Sequence, residues 1–119
     1  MSDARFPRSV YGTGSEPDPR FSLANERTYL AWVRTSLALF AAGIALEALR
    51  LPVEPGFRVA SAAVFVLLGL IGTVQAWLGW MRTERALREG RRLPGRSIGV
   101  VVVAGIAVAM LLLVAGMFV

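Results

Sequence analysis

The sequence predicts an all-α membrane protein with three transmembrane helices. Of its 119 residues, 55% are hydrophobic, which is typical of a protein embedded in lipid. The uncharged runs 59–81 and 97–119 are each long enough to cross a bilayer. A third apolar run, 30–46, is interrupted only by Arg34 near its start. Three such helices leave almost no chain for a soluble domain.

Residues 1–17 are predicted to form a flexible tail ahead of a transmembrane domain that spans residues 18–119. The tail has little apolar periodicity and contains four residues that interrupt regular structure: Pro7, Gly12, Gly14 and Pro17. A signal peptide is not predicted here, because the hydrophobic run begins only near residue 30 and acidic residues precede it.

The first helix is expected to begin at Asp18 and Pro19, with Asp18 as its cap and proline in its first turn. Tyr29 and Trp32 suit the membrane–water interface, so this helix is expected to begin at the surface and then enter the membrane. It ends near Leu49, which places its membrane part at about residues 28–49. The residues that stop it are Pro52, Pro55 and Gly56.

The second and third helices are predicted at about residues 58–81 and 97–119. Trp77 and Trp80 anchor the end of the second helix at the interface. Both helices carry small residues at intervals of three or four, a pattern that lets membrane helices approach closely. These residues are Gly69, Gly72, Thr73, Ala76 and Gly79 in the second helix, and Gly105, Ala109 and Gly116 in the third.

The distribution of arginine predicts the orientation in the membrane. All 13 basic residues are arginines, and the formal net charge is +5. Five lie on the amino-terminal side and six between the second and third helices, which makes eleven, whereas the first loop holds only Arg50 and Arg58. Because arginine-rich segments stay in the cytoplasm, the amino terminus is predicted to be cytoplasmic and the carboxyl terminus to lie outside.

Two arginines of the first helix are candidate functional residues. Arg27 and Arg34 share one helix face about 10 Å apart along the axis, since seven residues make almost two turns. Small residues lie close to the same face: Ala31, Ala38, Ala41 and Ala45. Such a face at the edge of the lipid requires a neighbouring helix, water or an anion, which predicts a homo-oligomer. For Arg34, extension of the side chain to the interface is an equally good interpretation.

The segment 82–96 is strongly basic and has two interpretations. It holds six arginines against Glu84 and Glu89, a net charge of 6 − 2 = +4. It is either a cytoplasmic loop that contacts anionic lipid headgroups, or one wall of an electropositive mouth that also includes Arg20 and Arg27. Glu26 is a candidate counter-ion for an arginine of another helix or subunit, or simply a favourable carboxylate in the first turns of a helix.

Several functional classes are not expected. The chain has no cysteine and no histidine, which argues against disulfides, thiol chemistry, zinc sites and imidazole catalysis. It shows no paired-carboxylate site and no phosphate loop, so no catalytic residue, cofactor or metal site is predicted and the chain is not expected to be an enzyme. Nucleic acid is not an expected partner, because the basic surface lies against the membrane and lacks a base-reading module.

The run Phe-Ser-Leu-Ala-Asn-Glu-Arg-Thr-Tyr-Leu-Ala-Trp-Val-Arg-Thr at 21–35, preceded by Asp-Pro-Arg, resembles the YidH-like family of small bacterial inner-membrane proteins, also called domain of unknown function 202. The resemblance covers the chain from about Asp18 onward and implies a multi-pass protein of the bacterial inner membrane. The same domain is similar to the membrane part of the eukaryotic vacuolar transporter chaperone complex, which makes polyphosphate and passes it across a membrane. That similarity implies a pentamer with basic residues along a polyphosphate path.

By this resemblance, Arg20 and Arg27 match path-lining basic positions and Glu26 matches the acid beside them. Arg82 and Arg96 match basic positions at the ends of the second and third helices. The 119 residues contain neither the polymerase domain nor the phosphate-sensing domain of the eukaryotic complex, so polyphosphate synthesis is not expected of this chain.

Two functional hypotheses follow. The first is an oligomeric conduit or binding site for anions or polyphosphate. Its anion-binding or path-lining residues are Arg20, Arg27, Arg34, Arg82, Arg85 and Arg96, with Glu26 as counter-ion. The second is a non-conducting accessory or scaffold subunit in the membrane that binds lipid headgroups or a cytoplasmic partner.

Overall fold

The computed structural model describes residues 5–94 and 98–119. Four helices occur in these residues: α1 (Arg8–Tyr11), α2 (Pro19–Leu49), α3 (Pro55–Glu89) and α4 (Ile98–Met117). The last three are long and apolar enough to cross a membrane, and the described residues contain no strand. The predicted all-α fold with three candidate transmembrane helices is therefore confirmed.

The boundaries of α2 follow from local chemistry. Asp18 caps the helix, and its carboxylate accepts a 2.9 Å hydrogen bond from the backbone N–H of Arg20. This satisfies one of the free N–H groups of the first turn. The helix ends at Leu49, and Arg50 follows it in the left-handed conformation with φ 49°. The predicted start and end of the first helix are thus both observed.

The helix α3 extends well past the predicted end at residue 81. It continues to Glu89 because arginine, glutamate, alanine and leucine dominate residues 82–89 and all favour a helix. Gly90 stops it, with φ 67° in the left-handed region that glycine adopts without strain. The end of α3 therefore projects two turns beyond its tryptophans and carries much of the basic segment.

Two groups of interacting side chains, one toward each end of the bundle, are separated by a distance that matches the thickness of a bilayer. At one end the ring of Tyr29 in α2 lies 6.3 Å from those of Trp77 and Trp80 in α3, a pattern typical of the membrane interface. At the other end Arg58 pairs with Glu47 at 3.4 Å. The 18 residues from Tyr29 to Glu47 rise about 27 Å, close to the roughly 30 Å of a hydrocarbon core.

The helix α3 packs against both other long helices. One buried side chain from each helix forms the central cluster, namely Leu39, Leu68 and Val102. A further contact is a 3.0 Å hydrogen bond from the buried Ser61 hydroxyl to the Ala109 carbonyl, which joins α3 to α4. Most remaining apolar side chains point outward, as expected for helices that face lipid.

The predicted close approach of helices occurs at some of the small residues. A methyl group at Gly69 would lie 2.8 Å from the Ser36 carbonyl oxygen and 3.1 Å from the Phe40 Cβ, so the backbones of α2 and α3 are in close contact there. Gly72 receives the side chain of Ser36. At Gly79 no atom of the described residues lies within 4 Å of the corresponding position, so a methyl group there would meet open space.

We expect Gly69→Ala to lower the free energy of unfolding by about 1–3 kcal/mol relative to Gly79→Ala, because overpacking of a close contact has this cost. Both substitutions bring the same gain in helix propensity. The difference between their unfolding free energies therefore reports on the packing of α3 against α2. The measurement is thermal unfolding followed by circular dichroism in one detergent. Equal midpoints for the two variants would contradict the observed contact.

Candidate functional site at the arginine-rich end

The start of α2 and the end of α3 lie side by side and form one end of the bundle, together with residues 5–17. We call this the arginine-rich end and define it as residues 5–34 and 77–94. Most arginines of the chain are found here, whereas Arg50 and Arg58 lie at the opposite end. The backbone N–H of Glu54 donates to the Gly116 carbonyl at 3.0 Å, so the carboxyl-terminal end of α4 also lies at that opposite end.

A buried polar contact joins the two helices at the arginine-rich end. The amide of Asn25 donates to a carboxylate oxygen of Glu84 and to the carbonyl of Trp80, both at 3.1 Å. The hydroxyl of Ser22 donates to the other carboxylate oxygen at 3.2 Å. Asn25 and Glu84 are 6% and 3% exposed, and buried polar groups that lose such partners are costly. These bonds therefore fix how α2 is rotated against α3.

This rotation determines where the predicted arginines lie. A helix turns about 100° per residue, so Arg34 is about 180° from Asn25 around the axis, and Arg27 about 160°. Both arginines are accordingly exposed. The small residues of the same face are exposed as well: Ala31, Ala38, Ala41 and Ala45. The predicted face thus exists, and neither α3 nor α4 covers it.

The aromatic layer gives these two arginines different depths. Arg27 is two residues from Tyr29 toward the start of α2, so it lies at about the level of the interface. Arg34 is five residues from Tyr29 in the opposite direction, about 7.5 Å deeper along the helix. Arg34 is therefore the charged residue of this face that lies clearly on the membrane side of the aromatic layer.

The remaining predicted residues of α2 lie near its start. The guanidinium of Arg20 pairs with Asp18 at 2.8 Å and is exposed. Glu26 lines a cavity of about 380 Å³ between residues 5–17 and the helices. The same cavity is lined by Trp77 and Arg88. Glu26 and Arg88 thus border the same cavity, and the counter-ion role expected for Glu26 stays a prediction.

Residues 5–17 are held against α3 by Arg88. Its guanidinium donates to the carbonyls of Tyr11 and Thr13 at 3.0 and 2.9 Å and to the carboxylate of Glu16 at 3.0 Å. Its own carbonyl accepts a 2.9 Å bond from the N–H of Ser15. The arginine is only 7% exposed. The sequence predicted a flexible tail here and did not reveal these contacts.

Three further features support this docked arrangement. Val10, in the short helix α1, is completely buried. Gly14 has φ 59°, and any side chain there would overlap the Arg88 carbonyl. The guanidinium of Arg5 lies 4.3 Å from the centre of the Tyr11 ring and also pairs with Glu16. The hydrogen bonds of Arg5 and, after them, those of Arg88 hold the pKa of the Glu16 carboxyl below its usual value of 4.5.

A second group of arginines surrounds a cavity at the end of α3. Arg82 and Arg85 line this cavity, which has a volume of about 370 Å³. They are joined there by Arg91 and Arg92, which the sequence did not single out. The predicted site residue Arg96 lies outside the described residues.

The structure therefore separates the predicted basic residues into two surfaces. Those of α2 lie on its uncovered face or at its start, and they do not line the cavity at the end of α3. Among the described residues, no three acidic, cysteine or histidine side chains come together in a way that would hold a metal ion.

Sequence reasoning missed Asn25, Ser22, Glu84 and Arg88 as residues that organise this end. A signal was present for the first two, because Ser22 and Asn25 are three residues apart and polar residues at this spacing share a helix face. Nothing in the sequence distinguished Arg88 from the other arginines of its segment.

Comparison with known proteins finds a family match over a range that contains Ser22, Asn25 and Glu84. The chain matches the family described as Domain of unknown function (DUF202) over residues 20–86. It is 39% identical over 105 residues to "Uncharacterized protein Rv2272" of Mycobacterium tuberculosis strain H37Rv, covering 82% of this chain and 86% of that relative. It is 43% identical over 82 residues to "Inner membrane protein YidH" of Escherichia coli strain K12, covering 68% of this chain and 71% of that relative. No solved structure shows a significant match.

We expect Arg88→Gln to release residues 5–17 from α3, because the amide cannot replace three hydrogen bonds from one guanidinium. Bonds to charged groups contribute about 1.5–3 kcal/mol each, so the released population should rise at least tenfold. The chain has no cysteine, so Ser9→Cys provides a unique site for a nitroxide label whose mobility is read by electron paramagnetic resonance. Arg85→Gln, one turn earlier on α3, is the matched control. An immobile label in both variants would contradict the role of Arg88.

The same label reports on the pH dependence of docking. A carboxyl whose pKa is lowered by its partners in the folded state stabilises that state at pH values above its unfolded pKa. This stabilisation is lost as the pH falls through the lowered pKa. For Glu16 we therefore expect an immobile label at pH 7 and a mobile one well below pH 4.5. Glu16→Gln should remove this transition, and a transition of the same size in that variant would assign it to another group.

Proposed function

The chain belongs to the DUF202 family, and on this premise we propose that it is an oligomeric membrane protein that binds and conducts anions through arginines of α2. That it is a small multi-pass protein of the inner membrane follows from its three candidate spans and its similarity to YidH. The finer proposal concerns what the uncovered face of α2 does.

The observation that carries the proposal is the position of Arg34. Its charged side chain lies on a face that no other helix in residues 5–94 and 98–119 covers, about 7.5 Å inside the aromatic layer. At the bilayer centre such a charge costs roughly 2.5–3.5 kcal/mol on insertion scales, and somewhat less at this depth. An anion bound between neighbouring copies offsets this cost, because guanidinium groups pair bidentately with phosphate and similar anions.

The small residues of the same face support assembly around it. Ala31, Ala38 and Ala45 are exposed and allow a helix of another copy to approach closely. Repeating this contact around a symmetry axis would direct Arg27 and Arg34 of every copy toward a common interior. A pentamer is the arrangement that the resemblance to the vacuolar transporter chaperone complex implies, and polyphosphate is the ligand that it implies.

The orientation follows from the same charges. We place the arginine-rich end in the cytoplasm, as the positive-inside rule requires, and the carboxyl terminus outside. The arginines at the end of α3 then face the cytoplasm and raise the local concentration of anions near the membrane. Anions would reach Arg27 first and Arg34 next.

A second candidate function is that of a non-conducting accessory subunit. One observation favours it. The 7.5 Å between Arg34 and the aromatic layer is short enough for an extended arginine side chain to place its charge among the lipid headgroups. In that case the uncovered face binds lipid or a partner protein and encloses no path.

Ion flux in proteoliposomes distinguishes the two functions. We expect wild-type protein to pass small anions or short polyphosphate, and Arg34→Gln or Arg27→Gln to lower the rate at least tenfold. The expected size follows from the roughly 1.5–3 kcal/mol contributed by one hydrogen bond to a charged group. Arg50→Gln removes the same charge at the opposite end of α2 and should leave the rate unchanged. Light scattering in detergent checks that every variant keeps its oligomer.

Flux that is insensitive to Arg34→Gln would remove this residue from the path. Absence of flux from wild-type protein that is folded and correctly oriented would reject the conduit and leave the accessory function.

A further inference from the structure

We propose that Arg82, Arg85, Arg91 and Arg92 form a binding site for a phosphate group at the end of α3. The ligand class is a phosphate ester or phosphoanhydride, supplied either by a soluble phosphorylated compound or by the headgroup of an anionic phospholipid. The inference goes beyond the proposed function, because it requires neither an oligomer nor a path through the membrane.

The backbone at the end of α3 brings these four side chains together. Gly90 turns the chain in the left-handed conformation, and the N–H of Arg91 then donates to the Ala86 carbonyl at 2.8 Å. These are the features of a helix end that folds back on its own last turn. Arg91 and Arg92 therefore return beside Arg82 and Arg85, which are three residues apart on the helix.

Arg88 belongs to the same helix end but does not join the site. Its side chain is turned toward residues 5–17, where its guanidinium donates to Tyr11, Thr13 and Glu16. Within residues 82–94, one arginine therefore binds residues 5–17, and the other four surround a cavity of about 370 Å³. This division separates the site from the contact that docks residues 5–17.

The charges around the cavity are far from balanced. Glu89 is the acid that pairs with these arginines, at 3.1 Å from Arg91 and 3.9 Å from Arg85. Four guanidinium groups against one carboxylate leave a local charge of 4 − 1 = +3. The side chains of Arg82 and Arg92 form no ion pair or hydrogen bond with any residue in the described part of the chain. Such a concentration of like charge is relieved by a multivalent anion.

A second observation independently indicates a missing partner. The Nε atom of Arg85 is buried and has no hydrogen-bond partner among the described residues. A buried donor without an acceptor costs about 1–3 kcal/mol, and more when the group is charged. The Arg85 side chain as a whole is 43% exposed, so an anion in the cavity can reach its guanidinium, whose planar fork fits phosphate oxygens in pairs.

The depth of the cavity fits the phosphate layer of a bilayer. Trp80 lies in the aromatic layer, and Arg82 and Arg85 are two and five residues further along α3, about 3 and 7.5 Å above it. Headgroups occupy roughly this distance beyond the hydrocarbon core. The cavity also meets the apolar side chains of Ala86 and Pro94. A phospholipid headgroup can therefore enter from the membrane, and a soluble phosphate compound from the water.

The experiment compares two double variants of the full chain. Arg85→Gln with Arg92→Gln removes two charges from the cavity, and Arg8→Gln with Arg50→Gln removes two charges elsewhere. Pyrophosphate is titrated into delipidated protein in neutral detergent by calorimetry. In parallel, nanodiscs that contain equal amounts of phosphatidylglycerol and phosphatidylcholine are opened in a mass spectrometer to count retained lipids.

We expect the cavity variant to lose at least tenfold in pyrophosphate affinity, or to lose a retained phosphatidylglycerol, while the control variant matches the wild type. Loss of pyrophosphate binding assigns the site to soluble phosphate compounds, and loss of retained lipid alone assigns it to a headgroup. Equal losses in both double variants would show a general charge effect and overturn the proposal. So would a wild type that binds neither ligand.

The binding and flux measurements test the phosphate site and the conduit separately. The cavity variant retains Arg27 and Arg34, so its flux reports on the proposed function while its binding reports on the site. Wild-type binding that Arg34→Gln leaves unchanged would support the site even if no flux is found.

Discussion

The rotation of α2 against α3 is the constraint on which the rest of the arginine-rich end depends. It is fixed by the bonds from Asn25 to Glu84 and to the Trp80 carbonyl, which the low dielectric of the helix interface makes costly to break. Ser36, eleven residues further, returns to the same face and is buried against Gly72. With these two positions turned inward, Arg27 and Arg34 necessarily point away from the bundle. One polar contact thereby makes the charged face available to lipid, ligand or another copy.

The same residue type serves three different purposes within a short distance, and only its surroundings decide which. Arg88 is buried and satisfies the backbone of residues 5–17, so its role lies in folding. Arg34 lies exposed on a membrane helix, where its charge is unfavourable unless it reaches the headgroups or meets an anion or another protein surface. Arg85 and its neighbours share one carboxylate among four guanidinium groups, which leaves capacity for an anion. The number of arginines and the net charge of the chain are the same whichever surroundings an arginine has, so neither quantity distinguishes them.

A single copy of this chain is too thin to shield its own charged face. The helix α3 contacts both neighbours, so α2 has one side packed and one side open. In a water-soluble protein an exposed arginine beside alanines requires no explanation, whereas within a bilayer its charge must reach the headgroups or be balanced by a ligand or another protein surface. The membrane environment is therefore the reason why this surface is a candidate functional site. The proposed oligomer would remove this face from lipid and enclose it around an interior that water or an anion can occupy.

The number of candidate transmembrane helices, the all-α class and the limits of α2 were determined by the sequence alone. These properties depend on local signals, which can be recognised without knowing the fold. The signals are the apolar runs of bilayer length, the Asp18–Pro19 helix start and the prolines after Leu49. The spacing of Arg27, Arg34 and the alanines likewise placed them on one face. What only the tertiary structure decided was which side of α2 is buried and that Arg88 docks residues 5–17. These outcomes depend on contacts between residues up to 77 positions apart, and no local pattern of residues encodes such a pairing.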